Sequence, residues 1–318
     1  MCAPDLTESD FLAALRALPL HPGALGLRDD AAVLGELVIT TDTLVEGVHF
    51  LATDPAQDVA WKLLATNLSD LAAKGAAVEG VLLNYPLTDD VWDRAFLIGF
   101  REALEALGAR LLGGDTISLP AGAPRVLTLT AFGRDAAAPL RSGACAGDTL
   151  WVTGTIGDGG AGLTIAKRLA GDPAGLAIAE GAPGPAALLA AYHRPVPRLA
   201  EGRALAHHVH AMMDVSDGLL IDAQRMAAAS GLAVAIDLDA IPLSDAYRAY
   251  GGSALRAVTA GDDYQLLFAA APDFTPPVAA AAVGRFTAGE SLTLHQSGTP
   301  VPLPRKLGFE HACAPPAR

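Results

Sequence analysis

The chain has 318 residues, enough for two domains of ordinary size, and its 51% hydrophobic and 18% charged residues exclude a disordered chain. A formal charge of −13 repels nucleic acid and anionic membranes, so neither is an expected partner, and a phosphorylated ligand would need cations as intermediaries. Cys2, Cys145 and Cys313 are scattered and form no CxxC, which gives neither a disulfide framework nor a zinc site; the acidic N-terminus MCAPDLTESDFLAAL is unlike a signal peptide, no uncharged run reaches the length of a membrane span, and a soluble cytoplasmic protein is expected.

Residues 5–18 read as a short helix with Thr7 or Ser9 as its cap. Residues 31–50 mix β-branched and apolar residues as a hairpin or two strands do. Val59, Leu63, Ala65, Leu68 and Leu71 have helical spacing in 58–73. A strand follows at 78–87, then an amphipathic helix over 89–108 ended by Gly108. ARLLGGDTIS reads as a strand running into a glycine turn, and 124–134 as another strand. Small residues and turns at 135–146 mark a boundary, which divides the chain into 1–136 and 137–318. The second half reads as a strand at 149–153, a helix near 160–170, a surface loop with helical parts over 171–187, helices at 198–210 and 217–230, and strands at 232–238 and 264–270. Strands and helices alternate in both halves, so the class is mixed α/β.

Six stretches set Asp beside Gly, Ser or Thr at strand ends and helix starts: RDDAAVL (28–34), ITTDTLVEGVHF (39–50), NLSDLAAKGA (67–76), GGDT (113–116), DVSDGL (214–219) and GDDYQLLF (261–268). Any one Asp can simply cap a helix and favour its dipole. Six together, with few Lys or Arg nearby, would repel one another and lose hydration unless cations joined them. Oxygen donors without His or Cys suit Mg²⁺, which keeps phosphate oxygens in its shell, so the pattern fits nucleotide binding through metal ions. In MMDVSDGLLIDAQRM (212–226), Asp214 and Asp217 flank Ser216 at a strand-to-helix junction and point at metal-bound phosphates on this reading, while Asp222 lies inside the helix as an exposed or helix-pairing carboxylate. GDGGAGLT (157–164) has P-loop glycine spacing, but Leu163 stands where the phosphate-binding Lys belongs, which leaves a tight strand-to-helix turn. HHVH (207–210) reads as surface or partly buried histidines on a helix, with a metal cluster as the lesser reading, and no GxSxG announces a triad.

The order of TTDTLVEGVHF, NLSDLAAKGA, GGDT, LRSGACAGD (140–148), VTGTIGDGGAGL, DVSDGL and GDDYQLLF resembles the thiamine-monophosphate kinase family, in the superfamily that includes aminoimidazole ribonucleotide synthetase and selenophosphate synthetase. The resemblance implies a two-domain α/β fold whose N-terminal sheet joins a partner's in an intersubunit β-barrel of a homodimer, with ATP near the interface. It implies direct in-line phosphoryl transfer from ATP to thiamine monophosphate, giving thiamine diphosphate and ADP. Carried onto this sequence, it makes Asp30, Thr40, Thr41, Asp42, Asp70, Asp115, Asp214 and Asp217 the Mg²⁺ ligands, with Asp30, Asp214 and Asp217 the catalytic carboxylates. Gly114 and Asp115 sit at the nucleotide, and Arg141 and Ser216 contact its phosphates. His49 and Asp262 face the thiamine phosphate, and Lys306 stands where the family often has an aromatic that stacks on the thiamine rings, with Phe309 as a possible substitute. Two further departures are Arg28 for a Gly and Asp262 for a longer Glu. The alternatives are another ATP-dependent synthetase acting on a different phosphate or carbonyl substrate, or a non-catalytic nucleotide-binding relative. Selenophosphate synthesis is disfavoured, because Cys2 lacks a Gly-rich setting.

Overall fold

The computed structural model describes residues 7–135 and 138–311; Cys2, Cys313, the side chain of Ser9 and the expected boundary at 136/137 lie outside the described residues. The first half runs α1 (Glu8–Arg16), β1 (Ala32–Leu34), β2 (Leu37–Val45), α2 (Ala56–Ala73), β3 (Ala77–Leu87), α3 (Asp90–Leu107), β4 (Leu111–Ser118) and β5 (Val126–Arg134). The second runs β6 (Thr149–Thr153), α4 (Asp158–Leu169), α5 (Pro173–Gly181), α6 (Pro183–His193), α7 (Leu199–Leu205), β7 (Ala211–Val215), α8 (Leu219–Ser230), β8 (Leu232–Asp237), α9 (Asp245–Ala249), α10 (Ala254–Ala257), β9 (Gln265–Ala270), β10 (Ala280–Ala288), β11 (Leu292–Gln296) and β12 (Thr299–Val301).

Local chemistry sets the helix ends. Thr7 caps α1 in a reciprocal capping box with Asp10. Asp89 accepts the amide of Trp92 at the start of α3, and Gly108 ends that helix at φ 69°, in the left-handed region. Each half builds one sheet, in the orders β1-β2-β5-β3-β4 and β12-β11-β8-β10-β6-β9-β7. Each sheet has a single parallel pair, β3 with β4 and β11 with β8, and the other neighbours are antiparallel.

Helix α2 positions the site. It is apolar on nearly every side and buried along most of its length, because it is shared between both halves. It packs on β2, β5 and α3 of the first half and on α7, β7 and β9 of the second. Leu63, Leu64, Leu68 and Leu71 belong to the first core, while Ala72 and Ala73 join Leu205, Met212 and Phe268 of the second. The polar residues it carries are therefore held in the seam between two cores.

Several elements differ from the sequence reading. The 171–187 loop is helix through α5 and into α6, since Ala and Leu dominate and Pro173 and Pro183 stand in first turns, where proline is tolerated. The 198–210 helix stops at Leu205, and HHVH forms the turn into β7. GGDT lies within strand β4 rather than in a turn, and a Cβ at Gly114 would collide with the Leu83 carbonyl of β3. Strands β10 to β12 were not foreseen, because their alanine-rich and short stretches carry little alternation. No single helix among the described residues is long and apolar enough to cross a membrane; α5 and α6 reach the length together but bend by 107°.

Candidate active site

Strand β2, helix α2 and the β7–α8 junction converge on a cavity of about 760 Å³ between the two halves. Its walls bring together Thr41 and Asp42 of β2, His49, Asp70 of α2, Asp214, Ser216, Asp217, Asp262 and Tyr264. Strand alternation turns Thr40 and Asp42 to the same face of β2 and Thr41 to the other. Thr40 is buried behind the wall, and its hydroxyl donates to Asp70 Oδ2 and to the Asp30 carbonyl. The hydroxyl of Ser69 donates to Asp214 Oδ2 at 2.6 Å, and the side-chain oxygen of Asn67 accepts the Asp42 amide at 3.0 Å.

The electrostatics divide the carboxylates into two kinds. Burial, reinforced by Asp217 and Asp30, pushes the Asp42 carboxyl up to about 6. Burial raises Asp70 well above the usual carboxylate range, with Asp42, Asp214 and Asp30 adding to the effect. Burial raises Asp214 in the same way, helped by Asp30. These groups face one another across the cavity with no cation from the described residues among them. Asp30 also pays a burial penalty, but Lys74 and Arg141 outweigh it and hold its carboxyl below the usual value. The Lys74 ammonium, buried at the end of α2, lies 2.5 Å from Asp29 and 2.9 Å from Asp30 Oδ2, and it donates to the carbonyls of Pro139 and Met212. Arg141 donates to Asp30 Oδ1.

The expectation that few cations stand near the Asp set is therefore corrected for part of it. Lys62 pairs with Asp262, Arg141 with Asp30, Lys74 with Asp29 and Asp30, and Arg225 with Asp217 and Asp222. Lys74 lay in plain sight in NLSDLAAKGA, as a lysine at the end of a largely buried helix. Asp222 pairs along its helix with Arg225 at 3.0 Å, as one of the two readings had it, but the exposed alternative is corrected. It is fully buried and its Oδ2 accepts the amides of Asp217 and Gly218 at 3.2 and 3.1 Å, while burial and Asp217 push it up to about 7. The glycine turn at α4 has an equivalent arrangement. Asp263 accepts the amides of Gly157 and Gly159, so the chain's own carboxylate occupies the position a phosphate would take in a P-loop.

On the opposite wall, Asp262 is fully engaged. Its Oδ2 pairs with buried Lys62 at 2.9 Å and its Oδ1 accepts the Tyr264 hydroxyl at 3.0 Å. His49 Nδ1 accepts the Val45 amide at 3.0 Å, which leaves Nε2 to carry the ring proton, and burial lowers its pKa. The segment after β12 brings Phe309 and His311 onto the cavity beside His49, with ring centroids 6.5 and 5.3 Å from it. The Phe309 amide donates to the Asp217 carbonyl at 2.9 Å, and Gly308 packs against Ile221 where a Cβ would not fit. Lys306 is exposed and does not line the cavity. Gly114 and Asp115 are also outside it. Asp42 is in register with Leu129, Leu83 and Gly114 across β5, β3 and β4, so three strand spacings of about 4.8 Å put Gly114 roughly 14 Å from Asp42.

Known proteins share this fold. Residues 28–134 match the AIR synthase related protein, N-terminal domain, and 146–296 match the corresponding C-terminal domain. The chain is 39% identical to the thiamine-monophosphate kinase of Caulobacter vibrioides, over 96% of this chain and 91% of that one. Its structure is similar to AaThiL complexed with AMPPCP and TMP, with a TM-score of 0.83 at 28% identity, over 98% of this chain and 99% of the other. It is also similar to the thiamine-monophosphate kinase of Stenotrophomonas maltophilia K279a, with a TM-score of 0.74 at 35% identity, over 91% and 95%. With both domain models matched in order and these relatives aligned over nearly its whole length, the chain belongs to the thiamine-monophosphate kinase family.

Proposed function

We propose that this chain transfers the terminal phosphoryl group of ATP directly to the phosphate of thiamine monophosphate, releasing ADP, and that Asp42, Asp70, Asp214 and Asp217 hold Mg²⁺ for the reaction. The observation that carries the metal reading is the donor set. These carboxylates converge on one cavity, repel one another and have no nitrogen or sulfur ligand among them, which is the setting that hard divalent cations satisfy. Thr40 orients Asp70, and Thr41, whose hydroxyl donates to the Leu129 carbonyl, lies at the same wall. When bound, Mg²⁺ neutralises charge on the transferring phosphates.

The chain's own residues supply alignment. Ser216 projects from the β7–α8 junction beside Asp217, where a hydroxyl can donate to a nucleotide phosphate. Arg141 is held by Asp30 close behind the acids, and its Nε, buried without a partner, is a donor left for an anion. His49 presents a neutral N–H to the acceptor phosphate, and Lys62 and Tyr264 fix Asp262 opposite it. AMPPCP is an ATP analogue, and its presence with TMP in the structurally similar AaThiL supports two adjacent ligands here. Gly114 and Asp115 are too far from Asp42 to share its ion within one chain. We assign them to a homodimer interface with the nucleotide nearby, on an edge strand whose Leu111, Leu112 and Ile117 are exposed. Residues 1–136 and 137–318 are the two units on this reading, with dimerisation assigned to the first and Mg²⁺ and the nucleotide phosphates held by residues of both.

The test is ADP release by the purified chain with Mg²⁺ and ATP, with and without thiamine monophosphate, with the product identified by chromatography. Thiamine diphosphate formed only with all components is the expected result. ATP binding without thiamine diphosphate would move the reading to a synthetase with another substrate.

A further inference from the structure

Outside the carboxylate cavity, three side chains of different ligand chemistry meet where the 140–148 turn abuts the entry to β7. The Asp148 carboxylate is buried, with 4% of its side chain exposed, and its Oδ2 accepts the Cys145 amide at 2.8 Å. The same oxygen lies 2.8 Å from His210 Nδ1. A Cys145 sulfur, an Asp148 oxygen and a His210 ring nitrogen all lie within 4.8 Å of one another. The backbone fixes this meeting. The Asp148 amide donates to the Cys145 carbonyl at 3.0 Å, the His210 amide to Ala269 at 2.8 Å and the Met212 amide to Leu140 at 3.2 Å. Gly143 is required at the crossing, because a Cβ there would collide with the His210 carbonyl.

We propose that Cys145, Asp148 and His210 form a binding site for Zn²⁺, separate from the Mg²⁺ site, with three protein ligands and water at the fourth position. The donor set makes the choice of metal. Thiolate and imidazole beside one carboxylate favour Zn²⁺, whereas Mg²⁺ takes oxygen ligands alone. Zinc bonds of about 2.0–2.3 Å separate tetrahedral donors by about 3.3–3.6 Å. Asp148 is held in place, and the exposed Cys145 thiol and His210 ring close the remaining distance by rotation about their side-chain bonds. Of the HHVH run, only His210 takes part. The expectation of no zinc site rested on sequence spacing, which cannot show a pairing across 65 residues. An ion here would also fasten the turn that follows Arg141, the partner of Asp30.

The test uses Co²⁺, a tetrahedral stand-in for Zn²⁺, with the full chain carrying Cys2→Ser and Cys313→Ser, which leaves Cys145 as its sole thiol. Titration in excess Mg²⁺ is expected to give one equivalent with a sulfur-to-cobalt charge-transfer band in the near ultraviolet, displaced by Zn²⁺. Cys145→Ser should abolish the band, and His210→Gln should weaken Co²⁺ binding at least tenfold. A missing band overturns the proposal, and so does a band whose affinity His210→Gln leaves unchanged. Because His210 is exposed, that variant keeps the test valid if Cys145→Ser fails to fold.

Discussion

The two strand-to-helix junctions of the second half look alike in sequence and differ in chemistry. At β6–α4, Asp263 takes the amides of Gly157 and Gly159; at β7–α8, Asp222 takes those of Asp217 and Gly218. Each helix start is closed by a carboxylate of the chain, so neither offers its amides to a phosphate. The difference lies beside the cap. At α4 the neighbouring Asp158 is satisfied by the hydroxyls of Thr155 and Ser244, at 2.7 and 2.6 Å. At α8 the neighbours are Asp214 and Asp217, and they face Asp42 and Asp70 across the cavity. A glycine-rich helix start is therefore not what makes the site. Carboxylates left facing carboxylates make it.

The same distinction separates Asp29 and Asp30, which Lys74 neutralises, from Asp42 and Asp70, which no side chain among the described residues neutralises, and mutation can test it. Lys74→Met should lower unfolding free energy by about 3–5 kcal/mol in denaturant titrations, because it strands two buried carboxylates. A loss under about 1 kcal/mol would show that water or a bound cation replaces the ammonium. Asp42→Asn should act in the opposite sense on stability. It removes repulsion, so the unfolding midpoint without Mg²⁺ should hold or rise, while turnover falls roughly 10²-fold and the Mg²⁺ requirement increases. Turnover near that of the unaltered chain would take Asp42 out of the metal set.

Asp263 sharpens the comparison through pH. Burial raises its carboxyl well above the usual range, against the lowering effect of the two amides. A carboxyl with a raised folded pKa binds protons more tightly folded than unfolded. Its contribution is complete below its ordinary pKa of 3.8 and is lost as pH rises toward the folded value. Asp263→Asn keeps an oxygen for the amides without the charge, so it should flatten the decline of the melting temperature with rising pH and cost less than about 1 kcal/mol at pH 8. Asp263→Leu, which leaves the amides unpaired, should cost about 1–3 kcal/mol. Equal losses from both variants would mean that the charge itself holds the turn.

Much of this was legible in the chain. Periodicity marked α2 and α3, Gly108 marked the end of α3, and the Asp-bearing motifs named most of the cavity wall. What stayed hidden depends on long-range pairing. Lys62 meets Asp262 across 200 residues, Lys74 at the end of α2 meets Asp29 and Asp30 ahead of β1, and Asp222 is buried by a turn that folds back on its own helix start. The register that sets Gly114 and Asp115 away from Asp42 follows from strand order, which composition does not encode.

The C-terminal segment offers the smallest and most local contrast. Sequence alignment by motif puts Lys306 where an aromatic is expected, yet the chain is pinned three residues later. The Phe309 amide is tied to Asp217, and Gly308 lies flat against Ile221, so the segment can enter the cavity only from Gly308 onward. Phe309 and His311 then form an edge-to-face pair, with ring centroids 5.0 Å apart, against His49. This aromatic corner is the surface on which a flat heterocycle gains stacking energy, about 0.5–1.5 kcal/mol beyond area burial. Phe309→Ala should therefore raise KM for thiamine monophosphate about tenfold with KM for ATP unchanged, whereas Lys306→Ala should change neither by more than about twofold. The reverse ranking would return ring recognition to position 306 and require the segment to shift when substrate binds.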